Sequence, residues 1–402
     1  GRSTLFCRPK DPERELWDGL RLGMDAAPVV LGVDAAFDVA SLDEHLPTLL
    51  RDQPAAWRSF GAEGLGTRTE AWLQAVRRRS RDGWMAPEVE RNLAPLLAEM
   101  RLHKDGHEAA LMRRAGEISA GAHARAMRHV AARLRSGAPS VREYEIEAEL
   151  LHEFRRHGAS GPAYPSIVAA GAHACILHYA AGATPLRPGE LCLIDAGCEF
   201  EGYASDITRT WPANGRFSGE QRALYDLVLA AQDAALGVTR PGARLRDAHH
   251  AAVRVLSQGM LDLGLLDGSK VGDVDAVIDS AAYRSFYMHG TGHWLGRDVH
   301  DVGDYAAADE APVDQPDGLG GRVVRPPSRV LQPGMVVTVE PGLYVRPAEG
   351  VPERFWNLGI RIEDDALITA QGHELLSRGV PVKADEIEAL MRDRRRITGD
   401  QA

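Results

Sequence analysis

The chain has 402 residues, 44% of them hydrophobic and 26% charged, with a formal net charge of −10. That balance argues against nucleic acid or an anionic membrane surface as the main partner. No apolar run approaches the roughly 18 residues of a membrane span, and no basic start followed by an apolar core marks a secretory signal.

The length exceeds what one hydrophobic core usually supports, so two domains are expected, a smaller α/β domain over residues 1–103 and a larger one over 104–402. In the first, Gly1 to Phe6 reads as the middle of a sheet and Pro28 to Gly32 as a short apolar strand. Leu42 to Arg51 and Ala71 to Arg79 read as helices, the second basic and amphipathic. From Asp105 to Arg135 the apolar residues Leu111, Ala115, Ile118 and Ala122 recur at helical spacing. A second helix is expected from Val141 to His157, with Ser140 and Glu143 as its capping box. Further helices follow over Gln221 to Thr239 and Leu245 to Leu263, with His249 and His250 expected in solvent. Asp304 to Pro327 reads as a surface loop without chemistry, and Lys383 to Arg395 as a charged surface helix. Strands among these helices give an α+β class for the second domain.

The four cysteines, Cys7, Cys175, Cys192 and Cys198, include no CxxC pair. Reduced, mostly buried thiols in a reducing compartment, the cytoplasm, are the expectation. An internal repeat carries more information. Leu186-Arg187-Pro188-Gly189, four strand residues, Ile194, Asp195, Ala196 and Gly197 align without a gap on Leu331 to Gly342, placing Asp195 against Glu340. The repeat predicts two similar halves, each delivering one carboxylate from the end of an equivalent strand.

Two strands, Leu191 to Asp195 and Ala204 to Trp211, flank a tight turn at Glu199 to Gly202. Pairing Asp195 with Asp206 puts the turn centre between Phe200 and Glu201, and sets two carboxylates face to face. Like charges so placed repel unless a divalent cation lies between them. Met335 to Glu340 and Gly359 to Glu363 form a second pair of strands, whose mutual pairing is not forced by the sequence. His293 sits in the Gly-rich run His289-Gly290-Thr291-Gly292-His293-Trp294-Leu295-Gly296. Asp195, Asp206, His293, Glu340 and Glu363 together make an oxygen-rich ligand set with one nitrogen, suited to two divalent ions. Mn²⁺ fits such donors best, and Co²⁺, Zn²⁺ and Fe²⁺ are compatible. Two ions would hold a bridging hydroxide and polarise a carbonyl.

These segments, with Ile176-Leu177-His178-Tyr179, Ser205 to Thr210, Asp298-Val299-His300-Asp301, Thr338 to Tyr344 and Gly359 to Asp364, occur in one order between about residues 160 and 370. As a set they resemble the pita-bread metallopeptidases, and within them the Xaa-Pro aminopeptidase (aminopeptidase P) branch. The resemblance implies a pita-bread C-terminal domain with internal pseudo-two-fold duplication behind an α/β N-terminal domain. It implies hydrolysis that releases the N-terminal residue from peptides with proline second, through a hydroxide bridging two metal ions. Asp195 would then chelate one ion, Asp206 and Glu363 would bridge both, and His293 and Glu340 would complete the other shell. Glu340 would also accept the proton of the bridging water. His178 and His300 would contact substrate and stabilise the tetrahedral intermediate, His289 would line the proline pocket, and Arg361 and Tyr344 would support or touch the substrate. Tyr164 would line the pocket, and Trp17 would reach the pocket of a neighbouring subunit in a homodimer or homotetramer. Full-length relatives carry a larger N-terminal domain, so this chain reads as short of early strands. A strict Xaa-Pro dipeptidase of the same fold shares all five ligands and is the nearest alternative. A non-catalytic peptide-binding module is the other, and such modules normally lose ligands.

Overall fold

Residues 1–393 are described in the computed structural model, and they fall into two units, Gly1–Leu97 and one that begins at Ala98. In the N-terminal unit, strand Thr4–Cys7 pairs in parallel with Ala35–Asp38, and Ala55–Arg58 pairs in parallel with Val89–Asn92. Parallel neighbours need a crossover, and helices Pro12–Asp18 and Gly23–Leu31 supply the first while Leu65–Arg77 lies in the second. The expected strand at Pro28 to Gly32 is therefore corrected: Pro28, Val29, Val30 and Leu31 are helical. Val29 and Val30 are 85% and 61% exposed, so no buried sheet position ever favoured their β-branched shape. Gly32, with φ at +67°, ends this helix in the left-handed region.

The second unit opens with the helix Gly106–Arg135, where Asp105 caps the His107 and Glu108 amides and Glu108 reaches back to the Asp105 amide. Helix Glu143–Arg156 packs beside it. Its start departs from expectation. Val141–Arg142 is a short strand, Glu145 is the residue that accepts from the Arg142 amide at 2.8 Å, and Glu143 turns inward to a separate task. Helices Gly219–Val238 and Leu245–Asp262 form a second packed pair, the first with a Ser218/Gln221 capping box. Each helix pair serves one sheet. Strands Thr208–Pro212, Leu191–Asp195 and Ile167–Ala170 lie side by side in that order, as do Val336–Val339, Asp364–Ile368 and His373–Leu375. All strands in both sheets are antiparallel to their neighbours.

The halves meet along a fully buried polar seam. Glu363 donates its amide to the Thr208 carbonyl, Thr210 Oγ1 donates to the Arg361 carbonyl, and Arg209 donates to the Glu363 carbonyl and to Asp364 Oδ1. Asp304 to Pro327, expected as a bare loop, instead contains an antiparallel hairpin of Val313–Pro316 with Arg322–Arg325. The last helix, Ala384–Arg392, buries Ala384, Ile387 and Met391, so it is a packed helix rather than a free surface one. The rest of the predicted span, 394–395, lies outside the described residues. Among the described residues no helix is long and apolar enough to cross a membrane, and all four cysteines are unpaired.

Candidate metal centre

The first hairpin places two acids, with a register that corrects the expected one. Phe200 pairs with Tyr203, which leaves Glu201 and Gly202 as the turn, with φ of +49° and +83°. A two-residue hairpin turn asks for positive φ at both positions, and Gly202 gives one of them freely. The whole ladder is thereby shifted. Asp195 lies opposite Thr208, not Asp206, and the Ala196 amide donates to the Ile207 carbonyl. Asp206 falls two positions along on the same face as Thr208, because side chains alternate. The two acids still converge, since Tyr164 Oη lies 2.7 Å from Asp195 Oδ1 and 2.5 Å from Asp206 Oδ1, and its single proton is shared between them.

The second hairpin is built in two ladders. Val339 pairs with Asp364, and Gly342 pairs with Arg361. Both ladders share one register, which if continued across the gap would set Glu340 opposite Glu363. The pairing of Met335 to Glu340 with Gly359 to Glu363, left open by the sequence, is nevertheless corrected. Val336–Val339 pairs with Asp364–Ile368, Leu358–Arg361 pairs with Gly342–Val345, and the Glu340 and Glu363 amides donate instead to the Thr291 and Thr208 carbonyls. Thr208 Oγ1, which no motif reading singled out, donates to Glu363 Oε2 at 2.6 Å. His293 arrives on a segment whose Gly292 presses on the second hairpin: a Cβ there would stand 2.0 Å from the Thr338 carbonyl oxygen. Its Nδ1 lies 3.0 Å from the Trp294 carbonyl, which can only accept, so the proton sits there and Nε2 faces the acids. Nε2 is 3.5 Å from Asp206 Oδ2 and 3.7 Å from Glu340 Oε1.

Ligand atoms of Asp206, His293 and Glu363 all lie within 4.8 Å of one another. Asp195 and Glu340 join this trio on the wall of one cleft of about 920 Å³. Electrostatics mark the cluster as unsuited to stand without cations. Burial, then the charge of the other carboxylates, pushes the Asp206 and Glu363 carboxyls upward. Burial likewise carries Glu340 to about 7 against the pull of His293 and Arg361. Burial alone would depress His293, yet its bond to Asp206 and the Glu340 charge raise it to about 9. Hard oxygen donors from four acids, three of them with carboxyls pushed upward, and one imidazole with its tautomer fixed fit divalent metal ions.

The remaining predicted residues divide by position. His178, His289, His300, Tyr164 and Arg361 line the cleft. His178 and His300 are exposed on its wall, and the His300 ring meets His293 edge-on at 4.4 Å between centroids. Arg361 donates to Asp195 Oδ2 at 2.6 Å, to Tyr344 Oη at 3.0 Å and to Thr208 Oγ1 at 3.2 Å. Tyr344 stands behind the wall, 1% exposed, linking Arg361 to His289 Nε2 at 2.8 Å, so it supports other residues and does not touch the cleft. Trp17 belongs to the N-terminal unit and is 82% exposed. His249 is corrected from the solvent-facing expectation: it meets Thr291 Oγ1 at 2.8 Å, and burial lowers it to about 4. Tyr305, from the segment read as having no chemistry, lines the cleft as well.

Comparison with known proteins adds an independent line. Residues 110–370 match the profile of Metallopeptidase family M24, and residues 1–57 match that of the aminopeptidase P N-terminal domain. The Xaa-Pro aminopeptidase of Escherichia coli is 44% identical over 390 residues, which cover 97% of this chain and 82% of that protein. A solved structure of Pseudomonas aeruginosa aminopeptidase PepP matches with a TM-score of 0.86 at 46% identity, over 96% of this chain and 82% of that one. A Zn-substituted Escherichia coli aminopeptidase P in complex with product matches with a TM-score of 0.85 at 43% identity, over 96% and 82%. The M24 match spans both hairpins and the His293 segment, so every candidate ligand lies inside it, and the chain belongs to metallopeptidase family M24, in its Xaa-Pro aminopeptidase branch.

Proposed function

We propose that the chain is a metal-dependent aminopeptidase that releases the N-terminal residue from peptides carrying proline in second position. The observation that carries this reading is the convergence of four acids and His293 on one cleft that His178, His289 and His300 also line. We assign two divalent ions to the centre, Mn²⁺ before Co²⁺, Zn²⁺ or Fe²⁺. Asp195, Asp206, His293, Glu340 and Glu363 would hold these ions. When bound, such ions supply a Lewis acid and a water that ionises near neutral pH.

The protein groups then have these tasks. Glu340 takes a proton from the attacking water and returns it to the proline nitrogen as the bond breaks. That nitrogen belongs to a tertiary amide with no N–H, so recognition falls on its carbonyl and on the ring. His178 and His300 donate to the oxygen that gains charge, the interaction expected to weigh most. His289, held by Tyr344 and Gly290, presents its ring to the proline. Arg361 fixes the Asp195 carboxylate, beside which the free amine of the substrate binds. The exposed apolar residues Leu16, Trp17 and Leu20 suit a contact with a second copy in a homodimer or homotetramer, and unpaired cysteines suit the cytoplasm.

A strict Xaa-Pro dipeptidase would need the same centre. Assay of the Mn²⁺-loaded protein on an Xaa-Pro-Pro tripeptide beside the Xaa-Pro dipeptide decides between them. Cleavage of the tripeptide is expected, and cleavage of the dipeptide alone would overturn the assignment.

A further inference from the structure

Glu143 is fully buried, it begins the helix Glu143–Arg156, and the reaction outlined above does not use it. Its carboxylate accepts four hydrogen bonds. Oε1 takes the Ala170 amide at 2.9 Å and His173 Nδ1 at 3.2 Å. Oε2 takes the Tyr179 hydroxyl at 2.9 Å and the Gly182 amide at 3.0 Å. All four donors come from one stretch of chain, 170–182, and that stretch carries His178.

Where the donors fall matters more than their number. Ala170 and His173 precede His178, and Tyr179 and Gly182 follow it. No helix or strand covers residues 176–184, so regular structure does not fix this turn. Glu143 ties its two flanks to one point at the root of a helix. The His173 and Tyr179 rings, one from each flank, stack at 4.3 Å between centroids with 27° between their planes. The Cys175 carbonyl, held by Arg346, anchors the approach. Beyond that point the reach of the His178 imidazole into the cleft depends on how tightly the loop is drawn together behind it.

We infer that Glu143 is a positioning residue for His178, a carboxylate clasp that closes the loop around the catalytic imidazole from behind. The inference rests on the role given to His178 above. A carboxylate can accept from four donors, whereas a glutamine amide turns one NH₂ toward two of them and loses those bonds. Glu143→Gln thus loosens the clasp with almost no change of volume. Displacement by about 1 Å of a group at the reaction centre can cost about 10²-fold in rate.

The experiment is a double-mutant cycle on the full-length, Mn²⁺-loaded protein with an Xaa-Pro-Pro substrate. It compares Glu143→Gln, His178→Ala and the double variant for kcat, KM, metal content and melting temperature. Glu143→Gln is expected to lower kcat by about 10-fold or more with KM and metal content nearly unchanged. Its effect should vanish once His178 is already alanine, since two residues acting through one interaction are not additive. An equal loss of kcat with and without His178 overturns the inference, as does wild-type kcat in Glu143→Gln. If His178→Ala alone keeps full kcat, the role of His178 fails and the inference with it, a result distinct from the other two. Should Glu143→Gln not fold, Tyr179→Phe removes one donor and keeps the stacked ring. The same cycle then reads a smaller loss of kcat that must also disappear without His178.

Discussion

Arg209 donates from Nη2 to Asp364 Oδ1 at 2.8 Å with both side chains fully buried, and the same guanidinium donates from Nη1 to the Glu363 carbonyl at 2.6 Å. One residue of the first hairpin thus holds the backbone of a candidate ligand in the second. Removing one partner of a buried pair leaves the other charge stranded, at about 3–5 kcal/mol. Asp364 keeps Arg378 Nε at 2.8 Å, so Arg209→Ala is expected to lower unfolding free energy by up to that amount, read from denaturant titration. Metal affinity should fall in the same variant although no ligand has been touched. Wild-type stability would show that the seam does not join the halves.

Asp206 is expected to be the least replaceable ligand. It sits between Asp195 and His293, and its amide is held by Asp365 Oδ2 at 3.1 Å. Asp206→Ala should leave a folded chain that retains well under one Mn²⁺ after dialysis and hydrolyses no Xaa-Pro-Pro peptide. Elemental analysis beside a peptide assay measures both, and retained turnover would count heavily against the centre as drawn.

His178→Ala separates metal from chemistry. His178 lies on the cleft wall outside the cluster of acids, so metal content should stay near that of the parent. Loss of one donor to a developing oxyanion costs about 10²–10³ in kcat, and a loss of that order is expected. Unchanged kinetics would return His178 to the role of a surface residue.

The pH dependence of stability should differ between metal-free and loaded protein. Without metal, Glu340 is raised from 4.5 to about 7 and His293 from 6.5 to about 9. A group whose pKa is higher folded than unfolded adds stability below its unfolded value and loses it as pH rises through the folded one. The metal-free protein should thus weaken between about pH 4.5 and about pH 9. Divalent ions replace those protons, so the stabilisation by Mn²⁺ should grow across the same window. Melting curves of chelator-treated and Mn²⁺-loaded samples measure the difference. A gap that stays constant with pH would mean that the acids are not the ligands.

All five candidate ligands, and the cleft histidines His178, His289 and His300, were legible because each sits in a dense local motif of acid, glycine and β-former. The hairpin register is not legible, because Phe200-Glu201 and Glu201-Gly202 are adjacent turn centres and one step between them moves every pair in the ladder. The Glu201-Gly202 pair was the available signal, since glycine readily takes the positive φ of a two-residue turn. Pro28 to Leu31 misled for a different reason: two adjacent valines suggest a strand, but only burial would have rewarded them there. Glu143 resembles a cap in sequence because charge at a helix start is common, and its partners lie between 27 and 39 residues away, beyond any local pattern. Thr208 was missed for the same reason, since its partner Glu363 comes from the other half.

Gly197 and Gly292 set a limit on how this centre can change. A Cβ at Gly197 would stand 1.7 Å from the Ser205 carbonyl oxygen, and one at Gly292 would stand 2.0 Å from that of Thr338. Both obstacles are main chain, which no rotamer change can move aside. The segments that carry the candidate ligands have no slack at these two points, so even an added methyl group must spread a pair of them. Directed evolution toward bulkier substrates therefore has to widen the outer cleft, because its floor cannot be repacked without parting the candidate ligands.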